Sequence, residues 1–240
     1  MKYGIIAAGE GSRLSREGIV DPKPLVKVGG EPLIDRLIRI FMDNDAEEIA
    51  IICNDITSIV SSHLAVLSID GLHGMRVPIR YVVKSTPSSM HSFHEISRYL
   101  GDGTFCVTTV DTVFREEEFH DYIAYLSDAT AKGIDGVMGV TNFVDDEKPL
   151  YVDTGDDMFI TSFLDKSSTS KYVSGGIYGL TGKAIATLDR CLMRGESRMR
   201  NFQRALIADG FKLKAWEFSK VIDIDHVSDI REAEQFISNK

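Results

Sequence analysis

Cysteine is scarce in this 240-residue chain, and the little there is does not pair. Cys53, Cys106 and Cys191 are odd in number, widely spaced and set mostly inside apolar segments. With no C-x-x-C pair they argue against a zinc or dithiol redox centre, and they read as small core residues of a cytoplasmic protein. Long apolar runs are missing too. Nothing approaches the roughly 20 residues that cross a bilayer, and Tyr3–Ala8 gives way to glycines and Glu10 too soon for a signal-peptide core. Positive charge is in deficit: 27 Lys and Arg against 36 Asp and Glu leave a net charge of −9. That argues against nucleic acid or an anionic membrane as a general partner, because both need a positive field. A phosphate-handling enzyme can still be acidic overall if its cations cluster. Repeats, low-complexity tracts and linkers are absent as well. At 43% hydrophobic and 26% charged, the chain has the balance of an ordinary soluble globular protein, and one compact unit over 1–240 is expected.

What is present is alternation. Over roughly the first 140 residues, short buried-strand runs such as Ile49–Cys53 and Phe105–Val110 are separated by helical patterns. After Pro32, which suits a first helical turn, Leu33, Ile34, Leu37, Ile38 and Phe41 fall on one stripe, with Asp35, Arg36 and Arg39 opposite. Helices are also predicted over Ile56–Leu67, Met90–Leu100 and Glu116–Leu126. This order predicts a right-handed parallel α/β sheet. After Gly136 the pieces Val137–Thr141, Leu150–Asp153, Phe159–Leu164 and Tyr172–Tyr178 are closely spaced strands, which implies a mixed, partly antiparallel addition. Helices near Lys183–Met193 and Ser197–Ala208, strands near Phe211–Phe218 and Val221–Ile224, and a last helix with Ser228 as its N-cap complete the pattern. The chain thus divides into halves at about 1–135 and 136–240.

The first strand runs into Gly9-Glu-Gly-Ser-Arg-Leu14. Two glycines after a buried strand let the backbone turn tightly and bring its N–H groups close to a phosphate. A dinucleotide fingerprint would need a third glycine where Leu14 stands, and no Walker G-K-[ST] is present. A plain turn remains the competing reading for the glycines alone. The next segment favours phosphate: Arg13, Arg16, Lys23 and Lys27 cluster, and Lys23 is stiffened between Pro22 and Pro24. Asp111 comes directly after the buried run Phe105–Val110, at the carboxyl end where open α/β sheets bind ligands. Asp223 and Asp225 come after Val221-Ile in the same way. Magnesium takes hard oxygen ligands, often one or two carboxylates plus substrate phosphate, and Asp111 and Asp223 suit that role. For Asp225 an auxiliary and a structural role stand open. Lys166, taken alone, is a strand-end lysine, and Gly175-Gly176 a bulge or turn.

Together, Ile5-Ile-Ala-Ala-Gly-Glu-Gly-Ser-Arg-Leu14, Pro22-Lys-Pro-Leu25 and Val28-Gly-Gly-Glu-Pro-Leu33 resemble the N-terminal signature of the sugar-1-phosphate nucleotidyltransferase family. The central Thr108-Thr-Val-Asp-Thr-Val-Phe114 and the C-terminal Val221–Glu234 block resemble that family's two metal-aspartate segments. The resemblance implies a Rossmann-like, mixed but mainly parallel sheet flanked by helices, of the GT-A-like kind. It implies a first half that binds nucleotide, through Ala7, Ala8, Gly9, Gly11, Ser12, Arg13, Lys23 and Ser89, and a second that binds acceptor. Magnesium would sit on Asp111 and Asp223. Phe159–Lys166 is similar to the strand ending in an acid–lysine pair, with Asp165 where glutamate is usual, and implies Lys166 on the acceptor's phosphate. Val173–Tyr178 implies Gly175 and Gly176 beneath the acceptor. One stretch departs: Thr86-Pro-Ser-Ser-Met-His-Ser-Phe93 has no glycine, and here the likeness is to phosphocholine-type cytidylyltransferases.

The reaction so implied joins a nucleoside triphosphate to a small phosphorylated acceptor, a step of sugar nucleotide biosynthesis. The acceptor phosphate is already an anion, so no general base is required, and positioning and charge neutralisation by Arg13, Lys23, Asp111 and Asp223 carry the catalysis. A CTP-dependent phospho-alcohol enzyme and a non-catalytic nucleotide-binding regulator are the alternatives. Base, acceptor and oligomeric state are left open by the sequence.

Overall fold

The computed structural model describes residues 1–144 and 148–238. β1 (Lys2–Ala7) is buried at five of six positions and leads, through the glycine loop, into one helical turn, α1 (Ser12–Arg16). A two-strand ribbon, β2 (Lys27–Val28) and β3 (Glu31–Pro32), precedes α2 (Leu33–Asp43). The α2 stripe is buried as its spacing predicts, but Asp35 and Arg36 are buried as well. Each has a partner that offsets the cost of burial. Asp35 meets His63 at 2.6 Å, and Arg36 donates to the Phe114 carbonyl at 2.8 Å and to Glu116 at 3.2 Å. The "polar" side of α2 therefore faces other elements rather than water.

β4 (Glu48–Cys53), α3 (Ser58–Asp70), β5 (Ile79–Val83), α4 (Ser89–Leu100) and β6 (Thr104–Thr109) continue the alternation. Thr57 caps α3, its hydroxyl accepting from Ile59 N. β7 (Thr112–Val113) and α5 (Glu116–Ala131) come next, then β8 (Gly136–Thr141), β9 (Tyr151–Thr154), β10 (Ile160–Leu164) and the ten-residue β11 (Tyr172–Thr181). Last come α6 (Ala184–Met193), α7 (Met199–Ala208), β12 (Leu213–Phe218), β13 (Ile222–Asp223) and α8 (Val227–Ser238). β5 is not predicted by the sequence. It is a half-exposed edge strand broken by Arg80, so neither alternation nor a continuous apolar run marks it.

Among the described residues nine strands form one sheet ordered β10-β9-β11-β6-β1-β4-β5, with β8 on β11 and β12 on β8. β1, β4, β5, β6, β8, β9 and β12 run one way, and β11 and β10 the other, so the sheet is mixed and mainly parallel. Helices cover both faces over two apolar cores. One is built around Tyr3, Phe41, Phe114 and Phe119, the other around Phe93, Phe105 and Phe202. β1 has β4 on one side and β6 on the other, so chain order reverses there. That reversal opens a crevice at the carboxyl ends of β1 and β6, where both the glycine loop and Asp111 emerge.

Candidate active site

Gly11 has φ 62°, and a Cβ there would lie 2.9 Å from the Lys23 Cβ. The loop therefore needs a residue without a side chain, both for its left-handed turn and for the close passage of Lys23. Gly9 faces open space. Asn54, at the end of β4, steadies this loop by donating Nδ2 to the Gly9 carbonyl at 3.2 Å.

Lys23 is buried, and its ammonium bonds to Asp111 Oδ2 and, at 2.7 Å, to Asp225 Oδ1. Arg13 holds the other oxygen of Asp225 at 2.5 Å. Burial alone would push the Lys23 ammonium to give up its proton, but the two carboxylates outweigh it and hold its pKa above the ordinary value. Burial likewise pushes Asp111 up, and Lys23 together with the Thr109 hydroxyl overrides it, so the carboxyl sits below its usual range. Both groups are charged at neutral pH.

β13 pairs antiparallel with β7, setting Asp223 opposite Thr112, and Ile224 N donates to the Asp111 carbonyl at 3.0 Å. Two segments whose aspartates are 112 positions apart (111 against 223) thus run side by side. The Thr112 hydroxyl joins Asp223 at 3.3 Å and Thr109 at 2.6 Å. The start of α8 is locked onto the glycine-loop side. Glu17 accepts from Val227 N at 2.8 Å and lies 2.5 Å from His226 Nδ1, while Asp229 accepts from Asp225 N and His226 N. Ser228 is therefore inside α8 rather than its cap; Glu17 and Asp229 serve the orphan N–H groups instead.

Two pockets meet at this knot. The first, about 540 Å³, is lined by Ala8, Gly9, Gly11, Ser12, Arg13, Lys23, Asp111 and Asp225 on one wall and by Ser85–Ser89 and Ser92 on the other. The second, about 430 Å³, is lined by Gly175, Ser174, Phe143, Pro149, Asp223, Asp225 and Arg13 among others. Arg13 and Asp225 line both. Ala7 is buried in β1 and reaches neither. Ser89 opens α4 at the wall of the first pocket. Gly175 and Gly176 fall at a register shift in β11 and form a bulge; Gly175 also lines the second pocket, whereas Gly176 lines neither and at φ 70° brings the chain against Thr109 and Thr112. Lys166 lies apart from both pockets, exposed at the end of β10 in a neighbouring groove, and Asp165 there pairs with Arg200 and Arg204. The sequence reading did not foresee Asn54, Glu17 or Asp229, nor the bridging position of Asp225. For Asn54 a signal existed: it is the polar residue directly after the buried run Ile49–Cys53.

The nucleotidyl transferase family profile matches residues 3–240. The chain belongs to that family. A glucose-1-phosphate cytidylyltransferase of Salmonella typhimurium is 40% identical over 53 residues, 22% of this chain and 21% of that one, so the match spans about a fifth of this curated relative's length. Solved structures share the family fold over nearly the full chain. A Bacillus anthracis protein assigned as a glucose-1-phosphate thymidylyltransferase superposes with TM-score 0.83 at 21% identity, covering 100% of this chain and 96% of its own. The inositol-1-phosphate CTP transferase of T. maritima superposes at 0.77 and 18%, covering 99% and 96%. The CTP:phosphocholine cytidylyltransferase of Streptococcus pneumoniae does so at 0.75 and 19%, covering 98% of each. Among the described residues no helix of this family member is long and apolar enough to cross a membrane.

Proposed function

We propose that the protein transfers a nucleoside monophosphate from a nucleoside triphosphate to a sugar 1-phosphate, releasing pyrophosphate, with magnesium as cofactor. The observation that carries this reading is the meeting of two pockets at one charged knot, in which Lys23 and Arg13 pair with Asp111 and Asp225, with Asp223 in the lining of the second pocket. The triphosphate takes the first pocket, its phosphates along Gly9–Arg13, and the acceptor takes the second. The obstacle is repulsion between two phosphates, so the useful groups are fixed cations, and Lys23 is fixed by two carboxylates before any substrate arrives. Arg13 lines both pockets and so reaches the α-phosphate's surroundings and the leaving pyrophosphate. An acceptor phosphate oxygen attacks the α-phosphorus in line, the bond to pyrophosphate breaks, and no proton has to be moved.

Among the described residues no three His, Cys, Asp or Glu side chains cluster to hold a metal. Asp111 and Asp223, on neighbouring backbone segments, instead fit a hard cation that completes its shell with phosphate oxygens and water, as magnesium does. Held there, magnesium would supply charge neutralisation at the reacting phosphate.

A second reading, CTP-dependent transfer to a phospho-alcohol, is favoured by the wall of the first pocket, which carries Thr86-Pro-Ser-Ser89 and no glycine. Pyrophosphate release with magnesium tests both, with ATP, CTP, GTP, UTP and dTTP each paired against pooled sugar 1-phosphates and against phosphocholine. Release with a sugar 1-phosphate supports the first reading, and release with CTP and phosphocholine alone supports the second. A protein that binds triphosphate but releases nothing with either pool would overturn the transfer reading in favour of a regulatory binder.

A further inference from the structure

α3 is apolar on two opposite sides. Val60, Leu64 and Leu67 are buried in one of the two cores. Ile59, Val66 and Ile69 lie on the other side of the helix and are 56%, 53% and 84% exposed. A helix that is apolar all round is ordinarily buried all round. Single exposed apolar residues need no explanation, but these three share one stripe. Charge is scarce here as well. In the 13 residues of α3 only His63 and Asp70 ionise, although 26% of the chain is charged.

The spacing says what covers the stripe. Ile59, Ser62, Val66 and Ile69 recur at intervals of three, four and three residues, the seam of a short coiled coil, and all four are exposed. Laid antiparallel on a second copy, with the two-fold axis level with position 64, the seam matches itself. Ile59 meets Ile69 of the second copy, and Val66 meets its Ser62. One layer is apolar on apolar, the other large on small, and Ala65 beside them leaves room for close approach. The ends match too. Asp70 sits at the carboxyl end of its own helix, where the dipole opposes it, and antiparallel pairing brings it level with the first turn of the second copy. Asp55 and Arg76, exposed just outside the two ends, come level with each other in the same way. Parallel pairing would set each charge beside its own kind. A net charge of −9 opposes self-association in general, and a seam with no charge along it lets two copies meet with little repulsion.

We propose that α3 is the contact face of a two-fold symmetric homodimer, in which two α3 helices pack antiparallel along Ile59, Ser62, Val66 and Ile69. Each helix is about 20 Å long. That is less than a permanent interface uses, so the dimer is reversible, with a Kd on the order of 10 µM. The proposal stands independently of the transfer reading.

Sedimentation velocity of the intact protein, from about 1 to about 200 µM, should show the monomer giving way to a dimer. Ile59→Lys and Ile69→Glu each set a charge against an isoleucine of the second copy and should weaken the dimer at least about thirtyfold. Both sites are exposed, so Tm should stay within about 2 °C of the parent. Ser62→Glu exchanges one exposed polar residue for another and should weaken the dimer as much. Mixing the Ile59→Lys and Ile69→Glu chains in equal amounts tests the register. Antiparallel pairing sets the introduced lysine against the introduced glutamate and leaves the other layer as in the parent. The mixture should therefore dimerise where neither variant does alone. A parent that stays monomeric throughout overturns the proposal and gives the face to a different occupant. A dimer untouched by the three substitutions overturns it in favour of another contact, such as the edge of β5. Variants that lose the dimer singly and do not regain it on mixing overturn the antiparallel pairing.

Discussion

Lys23 has two carboxylates and Asp111 has essentially one cation, and that asymmetry decides what a substitution does. In Asp111→Asn the buried ammonium keeps Asp225 as its partner, so the fold should survive. Turnover should fall at least about a hundredfold, the scale of losing one preorganised electrostatic group. Pyrophosphate release and a thermal melt on the same sample check both halves, and near-normal turnover would remove Asp111 from the mechanism. The two loop glycines should separate equally clearly. Gly11→Ala places a methyl against Lys23 at a left-handed turn and should cost about 1–3 kcal/mol in a urea titration. Gly9→Ala meets open space and should stay within about 0.5 kcal/mol of the parent. Equal costs at the two positions would contradict the loop geometry.

Between elements, the decisive contact joins the end of α1 to the start of α8. The Glu17 carboxylate raises the His226 pKa above 6.5, aided by Asp229 and opposed by Arg13, and His226 with Val227 N lowers Glu17 below 4.5. A raised histidine stabilises below its ordinary value, and that contribution is lost as pH rises through the raised midpoint. A lowered carboxyl stabilises above its ordinary value and loses that contribution as pH falls through the lowered midpoint. The contact is therefore strongest between about pH 4.5 and 6.5 and fades on both sides. An NMR titration should place the His226 midpoint above 6.5, and Glu17→Gln should bring it back down. An unmoved midpoint in that variant would mean the contact is absent in solution. The same element scale explains what was unreadable in α2. Its Asp35 and Arg36 look solvent-facing by spacing, yet His63, Phe114 and Glu116, distant in sequence, reach them.

At the scale of the molecule, the site is a junction of both halves of the chain on one continuous sheet. Ligand should thus stabilise the whole cooperative unit. A triphosphate at about a hundredfold its Kd, with magnesium, should add roughly 2.7 kcal/mol, or about 5–10 °C in Tm for a chain of this size. Chelation with EDTA should remove most of that gain. A shift that ignores EDTA would separate nucleotide binding from the metal.

Local sequence was enough for the alternation of strand and helix, the tight loop after β1, and the strand-end positions of Asp111 and Asp223. Those features depend on periodicity, on glycine and proline dihedrals, and on the residues that directly succeed a buried strand, all of which are short-range. β5 was invisible because an edge strand need not be apolar on either face. The start of α8 was misplaced because its capping groups come from Glu17 and Asp229 rather than from the nearest serine. Folding in three dimensions was needed to bridge Arg13 and Lys23 through Asp225, to run the Asp223 segment beside that of Asp111, and to put Lys166 in a separate groove with α7. Each of these is a pairing across dozens to hundreds of residues, and charge has no periodicity from which such pairings can be read.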